Sequence, residues 1–403
     1  FFKRAYEGKG KDICVVRINT SFKEDQPGEG YSTGGHENYL VSRTISGLDA
    51  TDRMNAGKFI ECIVPFLMTR QIFDGAGGIR WNGRAKQWEY VLSQRAFFIE
   101  SKFSQSTSNC RGFLGFKQDL NESPPDMARL QVFSGDLTMS QFGKYIAMAA
   151  THLVVRACEE NSSRTWRNRA SGDDWKQEMR ELAGDITLQS PITIFAGKAK
   201  KHYKATDVQR LYVEFVIQSL RSFSSEERAV LGEWIAMLDR LDQGFEAVSR
   251  ELDWAIKYAY FLKAFGGDVS SPKARFANFL YHDISERGIY NHFLANGRVE
   301  HFAPADEIQT ARLNPPPTRA EFRSRFIKTL ARFERDPLLW CTWGMFSGPK
   351  KIVAISDPLA RTTAEAEHLL RQLNEMCKEE MPSPQASMNP EDWHDGEDDR
   401  EVY

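Results

Sequence analysis

The sequence has few of the features by which a chain declares its chemistry. Its six cysteines, Cys14, Cys62, Cys110, Cys158, Cys341 and Cys377, are scattered without a CxxC pair, which argues against a zinc site and for reduced thiols in a cytosolic protein. No uninterrupted apolar run approaches the ~20 residues that span a bilayer. No basic start followed by an apolar stretch marks a secretory leader, although Phe1 is not an initiator methionine and the native start is expected to lie elsewhere. There is no P-loop, no GxSxG, no HExxH and no dinucleotide fingerprint, so the common signatures of nucleotide, hydrolase and zinc-protease chemistry do not apply. No internal repeat is found.

What is there is ordinary in bulk: 403 residues, 41% hydrophobic and 27% charged. Such a length buries a substantial core and suggests two or three domains, or one large domain with a small one. The net charge of -2 hides an asymmetry, because residues 379–403 hold nine acidic side chains against one arginine, leaving the preceding body mildly basic. The acidic tail reads as a solvated appendage, or as a segment that docks on a basic surface of its own body or of a neighbour.

One stretch looks built for a ligand. Gly34-Gly35-His36-Glu37-Asn38-Tyr39-Leu40 follows a loop rich in glycine and charge and leads into an apolar run, as a strand entry does. Alternation puts His36 and Asn38 on one face and Glu37 on the other. Paired glycines allow close backbone approach, and imidazole beside amide offers nitrogen and oxygen donors to a metal or phosphate. The same residues also fit a histidine that closes a turn by hydrogen bonding.

Along the chain, Ile13–Thr20 reads as a buried strand, Lys58–Gln71 as a core helix despite Pro65, and residues 86–103 as extended. Leu130–Phe133 reads as a short strand before a long helix over Met139–Glu160. Ile186–Phe195 is strand-like, and Gly197–Lys204 is a basic turn. Helices are expected at 206–222, 225–242, 245–264, 273–283, 285–296 and 363–378, with a cap signature at Ser224/Ser225 and Glu226/Glu227 and a stop at Gly266-Gly267. Residues 338–356 look strand-like, after a rigid Asn314-Pro-Pro-Pro loop whose helix presents Arg319 and Arg323 on one face. Arginines recur at element ends, namely Arg43, Arg70, Arg95, Arg111, Arg319 and Arg323. Guanidinium groups suit bidentate contacts with phosphate or carboxylate, so a cleft that gathered them would suit a nucleotide, and others of them would be surface groups.

The order of short segments carries more information than any one of them. Gly34–Leu40, Pro65-Phe-Leu-Met-Thr-Arg-Gln71, Leu92-Ser-Gln-Arg95, Ile99-Glu100, Arg129-Leu-Gln-Val132 and Gly135-Asp136 are followed by Gln209-Arg-Leu-Tyr212, Leu252-Asp-Trp254, Tyr281-His-Asp283, Gly288-Ile-Tyr-Asn291 and Asn314-Pro-Pro…Thr318-Arg-Ala320. The series, from about residue 13 to about residue 372, resembles the Pup ligases and depupylases, proteasome accessory factors among the carboxylate-amine ligases. The resemblance implies an α+β fold, with a glutamine synthetase-like curved antiparallel sheet backed by helices and a small C-terminal domain. The domains expected are 1–325, 326–378 and the tail 379–403.

It further implies a cytoplasmic enzyme that uses ATP and magnesium to form or cleave an isopeptide bond between a Pup-like protein tag and lysines of modified protein substrates. The ligase phosphorylates the tag's terminal glutamate, whereas the depupylase hydrolyses the bond or deamidates the tag. No membrane or nucleic acid is expected as partner. The residues it points to are His36 for metal, Asn38 beside it, and Arg95, Arg319 and Arg323 for phosphate or carboxylate. Three features depart from the family. Its Gly-x-Glu-x-Glu-Tyr strand and the aspartate that acts as general base are absent, so these are expected upstream of Phe1 or on a companion chain. An arginine of the family is Lys117 here and a histidine is Asn121, while its Arg-Leu-His is Arg129-Leu130-Gln131. Lysine lacks the guanidinium fork and an amide does not titrate near neutrality. The alternative implied is a catalytically degenerate homologue that binds a Pup-like peptide, a nucleotide or an active paralogue as a regulatory subunit.

Overall fold

Caps, glycines and apolar spacing divide the chain into its elements. In the computed structural model, residues 15–20, 32–45, 53–106, 110–117, 123–160, 170–196, 199–333, 338–349 and 351–379 are described. Cys14, Gly197 and Lys198 at the start of the basic turn, Asn121 and the acidic tail beyond Glu379 lie outside them. The first half runs β1 (Gly35–Ser42), α1 (Arg53–Thr69), β2 (Gly78–Asn82), β3 (Gln87–Val91), β4 (Ser101–Phe103), β5 (Gly112–Lys117), β6 (Met127–Gly135) and α2 (Gln141–Glu160). Then follow β7 (Ala170–Ser171), α3 (Trp175–Gly184), β8 (Ile192–Ala196), β9 (Ala199–Tyr203), α4 (Ala205–Ser219), α5 (Ser225–Leu241), α6 (Asp253–Phe265), α7 (Pro272–Tyr281), α8 (Ile289–Ala295) and α9 (Ala305–Leu313). The chain closes with α10 (Arg319–Leu330), β10 (Met345–Ser347), β11 (Ile352–Ala354) and α11 (Ala364–Glu379).

Local chemistry explains the boundaries. Ser224 and Glu227 form the expected capping box of α5, Ser271 with Pro272 opens α7, and Gly266, at φ 60°, ends α6 in the left-handed conformation. Four expectations are corrected. Residues 15–20 form only isolated bridges, Val16 with Asp283 and Thr20 with Ser32, instead of a strand. The extended segment 86–103 is broken by a 3-10 turn at Arg95–Phe98. The helix expected over 245–264 starts at Asp253, because the extended Leu252 interrupts it after a 3-10 turn at Phe245–Val248. Gly348 and Pro349 split the strand expected over 338–356 into β10 and β11.

The molecule is mixed α+β, with small sheets among many helices. Two compact units result, one of Phe1–Asp119 with Ser123–Gln309, the other of Leu120–Glu122 with Thr310–Tyr403. In the first, the main sheet has the order β1-β6-β5-β4, and it is not wholly antiparallel, since β4 runs parallel to β5. Its inner side carries Val41, Leu130, Val132, Leu114 and Phe116, which join the largest core cluster with Phe59, Ile63 and Phe66 of α1 and Ile146, Ala150 and Leu153 of α2. The second unit has its own core, in which Phe346 sits edge-on to Phe322 and Phe326 at 4.8 and 5.2 Å.

Several segments that carry the resemblance are buried fasteners of the first unit. Gln209 donates to the Phe66 carbonyl and the Thr69 hydroxyl, and Tyr212 to the Cys62 carbonyl, so α4 clasps α1. Asp253 accepts from the amides of Met139 and Ser140 ahead of α2, and from the Tyr281 hydroxyl at 2.6 Å. The buried Lys257 amine donates to the Gly77 carbonyl, Asn278 Oδ1 and His282 Nε2; burial pushes its pKa down to about 7.

The inner end of β1 is held by charge. Glu37 receives Arg70 at 2.7 Å, the Tyr39 hydroxyl at 2.7 Å and Lys144 at 3.3 Å; Arg70 also meets Asp74 at 3.1 Å and the Thr151 hydroxyl at 2.8 Å. Burial alone would raise the Glu37 carboxyl, but Arg70 and Lys144 outweigh it and hold it at about 2. Burial wins at Asp74, whose pKa is raised. Replacing Arg70 by Met strands two carboxylates away from water and is expected to destabilise the protein by about 3–5 kcal/mol in denaturant titrations. Because the folded pKa of Glu37 lies below its unfolded value, its contribution is full above about pH 4.5 and vanishes towards pH 2. The stability gap between wild type and Glu37→Gln is therefore expected to close over that interval.

Candidate functional site

With Glu37, Tyr39 and Val41 turned to the core, alternation leaves His36, Asn38 and Leu40 on the open side of the sheet. Strand register adds their neighbours. Asn38 pairs with Gln131, which pairs with Gly115; Leu40 pairs with Arg129, which pairs with Lys117. Asn38 Oδ1 accepts from Gln131 at 3.1 Å and from Arg129 at 3.4 Å. The face therefore presents an imidazole, two amides, a lysine and an arginine, and the described residues of β1, β5 and β6 that share it include no carboxylate.

The two glycines before His36 have separate jobs. A Cβ on Gly34 would collide with the Arg95 guanidinium, and one on Gly35 would crowd the Asp136 carbonyl at 3.1 Å and the Lys144 amine at 3.4 Å. Arg95 is buried; its side chain donates to the Phe133 carbonyl and to the Ser32 hydroxyl at 3.1 Å. Its backbone amide reaches Asp136, whose carboxylate also accepts from Ala76 at 2.9 Å and is pushed by burial up to about 6. Three distant segments, 34–38, 93–95 and 135–136, are thus locked together around β6.

This packing sets the charge state of His36. Its ring stands edge-on to Phe133, centroids 5.4 Å apart, and burial, then Arg95, then Lys117 lower its pKa from 6.5. A neutral imidazole keeps one ring nitrogen free to accept a proton or to ligate a cation. The other expected residues lie elsewhere. Arg319 and Arg323 belong to the second unit, where Arg319 donates to the Ile355 carbonyl at 2.8 Å and Arg323 lies over the Trp343 ring at 4.3 Å. Arg70 is enclosed in the buried ion cluster, and Arg43 caps the Pro125 carbonyl. Lys117, Arg129 and Gln131, noted in the sequence only for departing from or echoing a pattern, sit side by side on the open face. The signal that would have found them is strand register, two residues apart on one face.

The family model for the Pup-ligase protein matches residues 7–345. This chain belongs to the Pup-ligase family. A Pup–protein ligase of Rothia mucilaginosa (strain DY-18) is 30% identical over 377 residues, which cover 87% of this chain and 74% of the relative. A Pup–protein ligase of Actinosynnema mirum is 30% identical over 381 residues, 92% and 78% of the two chains. Among solved structures, the Pup ligase PafA in complex with ADP superposes with a TM-score of 0.73 at 22% identity, covering 93% of this chain and 80% of that one. PafA in its complex with Pup gives 0.70 at 24% identity, covering 86% and 70%. The fold of this family member is therefore that of PafA.

Fit to the groups the family implies is uneven. Lys117, Arg129, Gln131 and Asn38 suit phosphate oxygens, as cations and amides aimed from one sheet face. Magnesium prefers oxygen ligands, usually including a carboxylate. No cluster of three or more His, Cys, Asp or Glu side chains that could hold a metal occurs among the described residues, so His36 and Asn38 do not complete such a site alone. No helix among the described residues is long and apolar enough to cross a membrane.

Two measurements check the site. In histidine NMR titrations His36 is expected to titrate below 6.5, and Lys117→Gln to raise its midpoint, because one of the charges that opposes protonation is removed. Gly34→Ala is expected to displace Arg95 and to destabilise the protein, by thermal melting, while the equally conservative Gly83→Ala, which meets nothing within 4 Å, leaves the melting point within a degree or two.

Proposed function

We propose that this chain is an ATP-dependent ligase of the Pup type, joining the terminal glutamate of a Pup-like tag to lysines of other proteins, with the nucleotide phosphates held on the open face of the main sheet. The observation that carries this reading is the run Asn38–Gln131–Arg129–Lys117 beside a neutral His36. ADP, which the solved PafA structure holds, and Pup, which another holds, are the matching partners on that side of the comparison. In the reaction, the γ-phosphoryl group passes to a carboxylate oxygen of the tag and ADP leaves. The lysine amine then attacks the acyl carbon, phosphate leaves and a proton is lost. Lys117 and Arg129 would hold phosphate oxygens and offset the charge that spreads over them, Asn38 and Gln131 would orient them, and Arg95 would position His36 from below.

Magnesium supplies charge neutralisation in such chemistry, but the described residues do not complete a site for it. The remaining carboxylates, including the general base, would come from residues outside the described ones or from a companion chain. A second reading, a binding or regulatory subunit for a Pup-like peptide or an active paralogue, rests on Lys117 and Gln131, which stand where the resemblance implies an arginine and a histidine. The curved antiparallel sheet of glutamine synthetase is the architecture we assign to the open face, with β4 as its parallel exception.

Calorimetric titration with ADP and ATP, with and without Mg²⁺, separates these. Binding is expected, and Lys117→Ala and Arg129→Ala are each expected to weaken it roughly ten- to hundredfold, the equivalent of one charge-assisted hydrogen bond. Absence of binding under all four conditions overturns the nucleotide site. With a tag peptide ending in glutamate and a lysine-bearing acceptor, an isopeptide product by mass spectrometry supports the ligase, and nucleotide binding without product supports the binding subunit.

A further inference from the structure

The second unit exposes an apolar face that its own core does not use. Leu339 and Cys341 pack against that core, and alternation turns Leu338 and Trp340 outward, where they are 63% and 36% exposed. Ser347 fastens this segment to β10, its amide donating to the Trp340 carbonyl and its hydroxyl to the Leu338 carbonyl. Across the β10–β11 hairpin Ser347 pairs with Ile352, 58% exposed, and the bend between this segment and β10, closed by the Thr342 amide on the Met345 carbonyl, carries Trp343, 64% exposed. Two indoles and two branched aliphatic side chains, all exposed within the fifteen residues 338–352, exceed the scatter of single apolar residues on an ordinary surface.

The charge beside this face is positive and unmatched. Arg323 lies over the Trp343 ring, its Nε is buried without a hydrogen-bond partner, and neither it nor Lys351 has an ion pair among the described residues. Elsewhere in the unit Arg325 pairs with Glu367 and Arg361 with Glu321. A surface of indoles rimmed by unmatched cations suits an acidic segment that carries an aromatic residue of its own.

We propose that the chain's own acidic segment, residues 380–403, covers this face, with Trp393 against Trp340 and Trp343 and the flanking Glu391, Asp392 and Asp395 turned to Arg323 and Lys351. The connection permits it. The segment follows α11, which packs on β11 and α10 of the same unit. Trp393 stands fourteen residues beyond Glu379, a span of up to about 46–50 Å when extended. A body of this size has a radius of gyration of only about 12 Å. Composition fits too, since residues 379–403 hold nine carboxylates against one arginine, and Trp393 lies among them. Neither nucleotide nor tag enters the argument, so it stands apart from the ligase reading.

The test uses the intact chain labelled with 5-fluorotryptophan, in which Trp393→Phe identifies the Trp393 resonance by ¹⁹F NMR. The free peptide 380–403 gives the reference position. Docking is expected to displace and broaden the Trp393 signal relative to the peptide, and both Arg323→Glu and Trp343→Ala are expected to return it towards that reference. Ile352→Lys, a change at an exposed position, provides a second disruption that leaves the core intact, and the remaining tryptophan resonances report whether the unit is folded. A Trp393 signal that coincides with the free peptide overturns the proposal. So does a displaced signal that none of these variants moves, which would put the segment elsewhere, for instance on the open sheet face of the first unit. A displacement lost on dilution, with dimers seen by sedimentation, overturns it in favour of a second copy.

Discussion

A glutamate and an arginine closed off from water fix the orientation of the first strand, and everything on the open sheet face follows from that orientation. Side chains alternate with a period of two, so a slip of one residue would turn Glu37 outward and bring His36 and Asn38 into the core. The buried partners make that slip prohibitive, because Arg70, Asp74 and Lys144 would then face each other without Glu37. A buried ion pair is no better for stability than well-packed apolar groups. Its value here lies in register, since apolar residues in its place would tolerate a shifted strand. Tyr39 and Thr151 extend the same fastening to the hydroxyl level, joining β1 to α2.

Much of this was legible in the sequence for simple reasons. Alternation alone assigned His36 and Asn38 to one face and Glu37 to the other, and the caps at Ser224 and Gly266 marked real helix boundaries. Ordered short segments gave the family. What stayed hidden was whatever depends on partners far along the chain. Arg95 reads as an isolated arginine among aromatics, and only the fold shows Gly34 leaving room for it under the strand. Lys117 and Gln131 looked like unrelated departures until register placed them on neighbouring rows of one face. Residues 15–20 have the composition of a strand, yet bridge to Asp283 and Ser32 singly, because β content describes side-chain fit and not the presence of a neighbour.

The arginines illustrate how little a residue type says without its surroundings. Arg70 neutralises buried carboxylates, Arg95 holds the Phe133 carbonyl and the Ser32 hydroxyl, Arg319 braces the Ile355 carbonyl, and Arg323 lies over an indole. Arg129 alone of these stands on the open face, reaching Asn38. Lys117 and Gln131 lie on that face as well, whereas Gln209, Tyr212, Asp253 and Tyr281 serve the interior.

The pairing of Asn38 with Gln131 joins strands 93 residues apart in the chain. Closing a loop of that length carries an entropic penalty that grows as (3/2)RT ln n, about 4 kcal/mol before the constant, against about 1 kcal/mol for a hairpin of a few residues such as β2–β3. The floor of the face therefore closes later than such local hairpins, and during synthesis it does not exist until β6 has emerged. A ligand held by both strands bridges the ends of that long loop, so its binding would reinforce the most distant closure in the sheet and register the folding of everything between.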